Sequence, residues 1–267
     1  MYAFNYHRAT SARQAVNLLG KAEDAKLLAG GQTLLATMKQ RLASPANIID
    51  LGKVADLKGI ELKGKTIVIG AMATHAQVSE NADVQANLPG LAVLAGNIGD
   101  PHVRHKGTIG GSVANNDPAA DYPAALMALG ATVVTNKRKI AAEDYFQGMF
   151  ATALEENEMI TKIIFPVSSK FSYAKFPNPA SRYALVGVAV AKKGAVVRVA
   201  ITGAGSNGVF RWREAETALG ARFNAKSVEG LKATADGLNG DIHASPEYRA
   251  HLIGVMAKRA VTAAAAR

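Results

Sequence analysis

A chain of 267 residues, 49% of them hydrophobic, can build one large domain or two of ordinary size around a packed core. No run of about 18 apolar residues argues for a membrane span, and the mixed start MYAFNYHRATSARQ lacks the apolar stretch of a secretory signal, so a cytoplasmic protein is expected. The chain has no cysteine, which excludes disulfides and iron–sulfur clusters held by its own thiolates, and its net charge of +10 is scattered, so no nucleic acid partner is expected.

The elements follow in chain order. Ser11 to Leu19 reads as an amphipathic helix stopped by Gly20. Lys26 to Ala29 is a short strand running into Gly30-Gly31, Thr33 to about Leu42 is a second helix, and Asn47 to Leu51 is a strand. This is β/α alternation in a small N-terminal lobe. Thr66 to Gly70 reads as a strand after a Lys-Gly-Lys turn, Thr74 as a helix N-cap, and Leu88 to Ile98 as a helix. Asp100 to Asp121, rich in Gly, Pro, Asn and Asp, reads as one long loop of the functional kind. Ala131 to Thr135 and Met159 to Phe165 are strands, and the stretch from Phe165 to about Lys170 looks like a boundary. Beyond it, strands at Ser172–Phe176, Tyr183–Ala191 and Ala195–Thr202 precede helices at Arg213–Leu219, Ser227–Leu238 and Glu247–Ala264, an α+β layout.

Two glycine-bearing loops stand out. In Leu28-Ala29-Gly30-Gly31-Gln32-Thr33-Leu34, paired glycines let the backbone approach a ligand, and free amides at a helix start can hold phosphate oxygens. On its own this loop reads more readily as a tight turn without a ligand, since Gly-rich turns are common. The second loop, Gly107 to Asp121, carries Gly110-Gly111 between the hydroxyls of Thr108 and Ser112. Asp117-Pro118 reads as a helix opening there, with Asp121 one turn later on the same face. Asp121 could accept from a ribose hydroxyl or a ring N–H; otherwise Asp117 merely caps and Asp121 is solvated. Together the loops suit a diphosphate gripped from both sides.

With Met38-Lys39 after the first loop and Arg104 before the second, both segments resemble the FAD-binding loops of the medium subunits of molybdenum hydroxylases. That family includes the carbon monoxide dehydrogenase and xanthine dehydrogenase flavoproteins. The resemblance runs over nearly the whole chain. Its departures are a somewhat short chain, a compressed stretch around Asn136 to Ile140, and Gln32 and Asn115, where some relatives carry His.

The resemblance implies a fold: a two-lobed FAD-binding domain of the vanillyl-alcohol-oxidase (PCMH) type over 1–166, with lobes of about 1–55 and 56–166, then a smaller α+β domain over 167–267. It also implies an FAD site built from Ala29, Gly30, Gly31, Gln32, Thr33, Leu34, Thr108, Gly110, Gly111, Ser112, Asn115, Asp117 and Asp121. Ile160 matches an apolar flavin contact, Lys175 the lysine near the isoalloxazine, and Tyr183 an aromatic beside the ring. The implied activity is that of an oxidoreductase subunit, relaying electrons from a small [2Fe-2S] subunit through FAD to an external acceptor. A large molybdopterin-binding subunit would oxidise the substrate, in a dimer of heterotrimers. Two other readings stay open. One is a free-standing FAD-dependent oxidoreductase. The other is an NAD-binding dehydrogenase using Gly203 to Gly208, which fits G-x-G-x-x-G but follows a hairpin rather than a βαβ unit. His75, His102, His105, His243 and His251 are spread out, and each is expected to be a surface or satisfied histidine.

Overall fold

The computed structural model describes residues 1–168 and 170–266. The N-terminal segment holds β1 (Asn5–Arg8), α1 (Ala12–Leu19), β2 (Ala25–Leu28), α2 (Leu34–Lys39) and β3 (Asn47–Asp50). The three strands form a parallel sheet in the order β1-β3-β2. Helix α1 starts where the Ser11 side chain accepts from the Gln14 amide. Helix α2 is shorter than its sequence pattern predicts, because Gln40 caps it and Arg41 turns left-handed at φ 61°. Strand β1 was not predicted; its residues alternate without a continuous apolar run, since it is an exposed edge.

The middle segment opens with the hairpin β4 (Ile60–Lys63) and β5 (Thr66–Gly70). Helices α3 (His75–Glu80), α4 (Ala82–Asn87), α5 (Pro89–Gly96), α6 (Pro101–Arg104), α7 (Ile109–Asn115) and α8 (Tyr122–Leu129) follow, then β6 (Thr132–Thr135) and β7 (Lys139–Ala141). After α9 (Ala142–Tyr145) and the small ribbon of β8 (Phe146–Gly148) and β9 (Ala151–Thr152), β10 (Ile160–Pro166) returns to the centre of a five-stranded antiparallel sheet, β4-β5-β10-β6-β7. A reciprocal capping box between Thr74 and Gln77 starts α3, as the sequence suggested for Thr74. The stretch from 100 to 121 is not one loop. Asp100 accepts from Val103 to cap α6, and Thr108 accepts from Gly111 to cap α7. Small and polar residues disguise two short helices, of four and seven residues, whose caps are those same Asp and Thr side chains.

The C-terminal segment is the antiparallel sheet β11 (Lys170–Pro177), β12 (Ala184–Lys193), β13 (Val196–Thr202) and β14 (Phe210–Arg211), followed by α10 (Arg213–Ala221) and α11 (Pro246–Ala265). The helix expected at Ser227–Leu238 does not form. A 3-10 turn at Ala225–Val228 gives way to irregular chain, broken by Gly230 and Gly237, both at positive φ. Its apolar residues Leu231, Ala233 and Leu238 instead pin that loop to the C-terminal core.

Strand β12 explains how the segments join. Val186, Val188 and Val190 pack into the core with α11, while Ala189 and Ala191 join the core that contains α8. This two-residue alternation puts large side chains on one face and small ones on the other. The flat small face lets α8 lie close, and all eight residues of α8 are buried. The fold is thus α+β, with the C-terminal sheet sharing a core with the middle segment. No helix among the described residues is long and apolar enough to cross a membrane.

Candidate functional site

A cleft of about 730 Å³ opens where the three segments meet. That volume lies within the range of small-molecule and cofactor sites. Its walls carry Ala29 to Leu34 from the first glycine loop; Thr108, Gly110, Gly111, Ser112, Asn115, Asp117 and Asp121 from the second; and Ile160 and Tyr183 from farther on. Residues up to 154 positions apart in the chain therefore face one space.

The first loop runs from the end of β2 into α2. Among the described residues, the backbone amides of Gly30, Gly31, Gln32, Thr33 and Leu34 have no acceptor, and neither has the Thr33 hydroxyl. These are strong donors at a solvent-accessible helix start, open to a ligand in the cleft. A side chain at Gly30 would collide with the Lys106 carbonyl oxygen, so the loop lies directly on the entry to the second one. At the second loop most of the donors are spent. Ile109 and Gly110 donate to the Ala73 and Ala71 carbonyls at 3.0 and 2.9 Å, and Gly111 donates to Thr108 Oγ1 at 3.1 Å. This loop contributes a bare backbone surface and the Ser112 hydroxyl, not an amide nest.

Asp117 and Asp121 differ from their sequence reading. The Asp117 carboxylate accepts from the Ala119 amide at 2.8 Å in a local turn, and no helix starts there. Helix α8 begins at Tyr122, so the two carboxylates do not share a helix face. Nor is Asp121 solvated. It is buried, makes no cap bond, and turns to β11, where the Tyr173 hydroxyl donates to it at 2.5 Å and the Lys175 ammonium at 3.1 Å. Burial pushes its carboxyl up from the ordinary range, and the Lys175 charge and the Tyr173 hydrogen bond pull against that. Lys175 is not an exposed edge lysine, for its side chain is 7% exposed. It lies behind Asp121 rather than in the cleft wall and also donates to the Asn97 and Arg182 carbonyls. Tyr183 stands half-exposed at the mouth, its hydroxyl pKa raised by burial and by the charges of Asp117 and Asp121.

Ile160 is buried beside a register shift between β10 and β6, an irregularity that re-aims side chains next to sites. Its approach is braced by Glu158. Burial alone would raise the Glu158 carboxyl, but donors on Arg138, the Glu155 amide and Thr135 hold it down at about 2.

Sequence reasoning missed several residues of the wall and its support: His75, Ile98, Leu154 and Tyr173. Tyr173 was within reach, since it stands two positions before Lys175 on one strand. His75 corrects the expectation of a surface or satisfied histidine. It is buried, its Nδ1 has no partner among the described residues, and burial with the Arg104 charge lowers its pKa to about 4. The Gly203 to Gly208 segment does not line the cleft. Its Gly203, Ser206 and Gly208 amides already donate to Pro118, Gly237 and Gly205, and no helix starts directly after it. With half of its amides engaged and no helix N-terminus behind it, the segment lacks the phosphate cradle of a dinucleotide fold.

Comparison with known proteins converges on one family. The family model described as FAD binding domain in molybdopterin dehydrogenase matches residues 2–168, and that described as CO dehydrogenase flavoprotein C-terminal domain matches residues 171–264. The chain is 37% identical to the carbon monoxide dehydrogenase medium chain of Hydrogenophaga pseudoflava over 280 residues, covering 99% of this chain and 98% of that one. It is 36% identical to the nicotine 6-hydroxylase medium subunit of Paenarthrobacter nicotinovorans, with the same coverage. Its fold superposes on reconstituted CO dehydrogenase from Oligotropha carboxidovorans with a TM-score of 0.87 at 35% identity, covering 100% of this chain and 99% of that one.

Proposed function

The chain belongs to the FAD-binding medium-subunit family of molybdenum hydroxylases, and from that premise we propose the residues that hold its cofactor and the complex it joins. It is the flavoprotein subunit of an oxidoreductase; neither a free-standing flavoenzyme nor an NAD site at Gly203 to Gly208 is favoured.

The cleft fits FAD by its donor set. The free amides from Gly30 to Leu34 and the Thr33 hydroxyl suit a diphosphate. Gly110, Gly111 and Ser112 let the same ligand pass close on the other side. Ile98, Leu154 and Ile160 offer an apolar wall for a flat ring, and Asp121 an acceptor beside it. Gln32, Thr108, Asn115 and Asp117 complete the contact, Lys175 acts through Asp121, and Tyr183 covers the mouth. FAD, when bound, supplies electron transfer between one-electron carriers and the final acceptor. The protein's part is to bind and orient it, to exclude water with Ile160, and to fix the charge at Asp121. Residues 1–166 form the FAD-binding domain in this reading, with lobes of about 1–55 and 56–166, and 167–267 the C-terminal domain.

Because the chain has no cysteine, iron–sulfur clusters must come from elsewhere. We place it with a small [2Fe-2S] subunit and a large molybdopterin-binding subunit, in a dimer of heterotrimers in the cytoplasm. The medium-chain names of its relatives support the partnership. The observation that carries the proposal is the meeting of both glycine loops in one cleft with unpaired amides. Gly111→Asp puts a carboxylate into that meeting point. The variant is expected to fold, by circular dichroism, yet to carry no FAD where the wild type does. A variant with undiminished FAD would overturn the assignment of the loops.

A further inference from the structure

Tyr173 and Lys175 are two residues apart on β11, so both side chains leave the same face of the strand. Both reach one carboxylate, Asp121, which comes from the start of α8 more than fifty residues earlier. The trio is closed to solvent: Asp121 is 5% exposed and Tyr173 8%. Their duties differ. Lys175 spends its three donors on Asp121, Asn97 and Arg182, so it is fully committed. Tyr173 has one hydroxyl proton and gives it to Asp121. That hydroxyl sits in space that exists only because residue 187, on the neighbouring strand, is glycine; any side chain there would collide with it. Asp121 alone of the three lines the cleft, and a carboxylate keeps acceptor capacity beyond two bonds.

We propose that Tyr173 is a positioning residue for FAD, locking the Asp121 carboxylate in the one orientation that faces the cleft, so that the first strand of the C-terminal sheet braces a cofactor site whose glycine loops lie in the N-terminal domain. This rests on the FAD reading above. Without the hydroxyl, Asp121 is free to swing onto Lys175 alone and away from the ligand. It also loses one of two stabilising partners of its ionised form. The other groups that face it are Lys175, Tyr122 and Tyr183, with Asp117 nearby through Tyr183.

The test is Tyr173→Phe in the full chain, which keeps the ring and the packing. FAD is titrated into the apo form and followed by flavin fluorescence between pH 5.5 and 8.5. Affinity is expected to fall roughly tenfold at pH 7, with the deficit growing as pH falls and the carboxylate protonates. In an Asp121→Asn background the same substitution is expected to have no further effect, because there is no carboxylate left to position. Unchanged affinity, a loss that is equal at every pH, or losses that simply add in the double variant would overturn the role of Tyr173 while leaving FAD binding intact. A wild-type chain that takes up no FAD, alone or in its complex, would overturn the reading beneath it as well.

Discussion

Gly111 faces Ala29 where the two glycine loops touch, with 3.6 Å between the Ala29 Cβ and the place a Gly111 side chain would occupy. One loop belongs to the parallel N-terminal sheet and the other to the helical layer of the middle segment. Their contact defines the floor of the cleft. The amides on the Ala29 side are free and those on the Gly111 side are used, so the grip is asymmetric. The first loop binds, and the second supplies closeness.

That asymmetry predicts the effect of Gly30→Ala. The new methyl would meet the backbone of Lys106 and Gly107, which cannot swing aside as a side chain would. The loops are forced apart, at about 1–3 kcal/mol of stability. FAD affinity is expected to fall by more than that strain alone accounts for, because the donor amides move with the loop. Urea unfolding and FAD titration of one preparation separate the two. A variant with wild-type stability would mean that the loops are not in contact.

Acid sensitivity should come in two stages. Free histidine titrates near 6.5, whereas His75 in the fold is held neutral down to about 4. Between these values the unfolded chain binds a proton that the folded chain refuses, so stability falls as pH falls through this window. Glu158 acts lower. Its contribution is complete above the ordinary 4.5 and is lost as pH falls towards about 2. His75→Gln should flatten the first stage and Glu158→Gln the second, read from urea midpoints against pH. Unchanged slopes in both variants would contradict the account of these two buried groups.

Asn116 offers a test of strain against hydrogen bonding. It is buried in the left-handed region at φ 45°, and its amide donates to the Gly148 and Ala151 carbonyls at 2.8 Å each. Those bonds tie the β8–β9 ribbon to the end of α7. Asn116→Ala loses both bonds and keeps the strain, at about 2–4 kcal/mol. Asn116→Gly loses the bonds but not the conformation, and should be about 1 kcal/mol less damaging. Chemical denaturation of the pair gives the difference. The opposite order would show that the backbone geometry is not costly.

How much of this was legible in the sequence depended on distance along the chain. Strand Thr66–Gly70 and the Thr74 cap were readable because local pattern alone decides them. Helix Ile109–Asn115 was hidden because its cap, Thr108, sits among glycines that ordinarily mark loops. Leu231, Ala233 and Leu238 mimic helical spacing, yet tertiary packing uses them to anchor irregular chain. The site residues were named through their motifs, and the structure brings all of them to one cleft except Lys175, which stands behind Asp121. What no local pattern could show was that β12 places its small residues against α8, or that Tyr173 crosses more than fifty positions to reach Asp121. Both depend on contacts that exist only after the C-terminal sheet has docked.

The most direct test of the central claim is the chromophore itself. The chain, purified with the subunits it assembles with, should show flavin absorbance in the visible range, and heat or acid should release FAD in equal number to the chains. A complex that releases no FAD on heating or acid treatment, even after prior incubation with excess FAD and removal of the unbound flavin, would contradict the assignment of this cleft to the flavin.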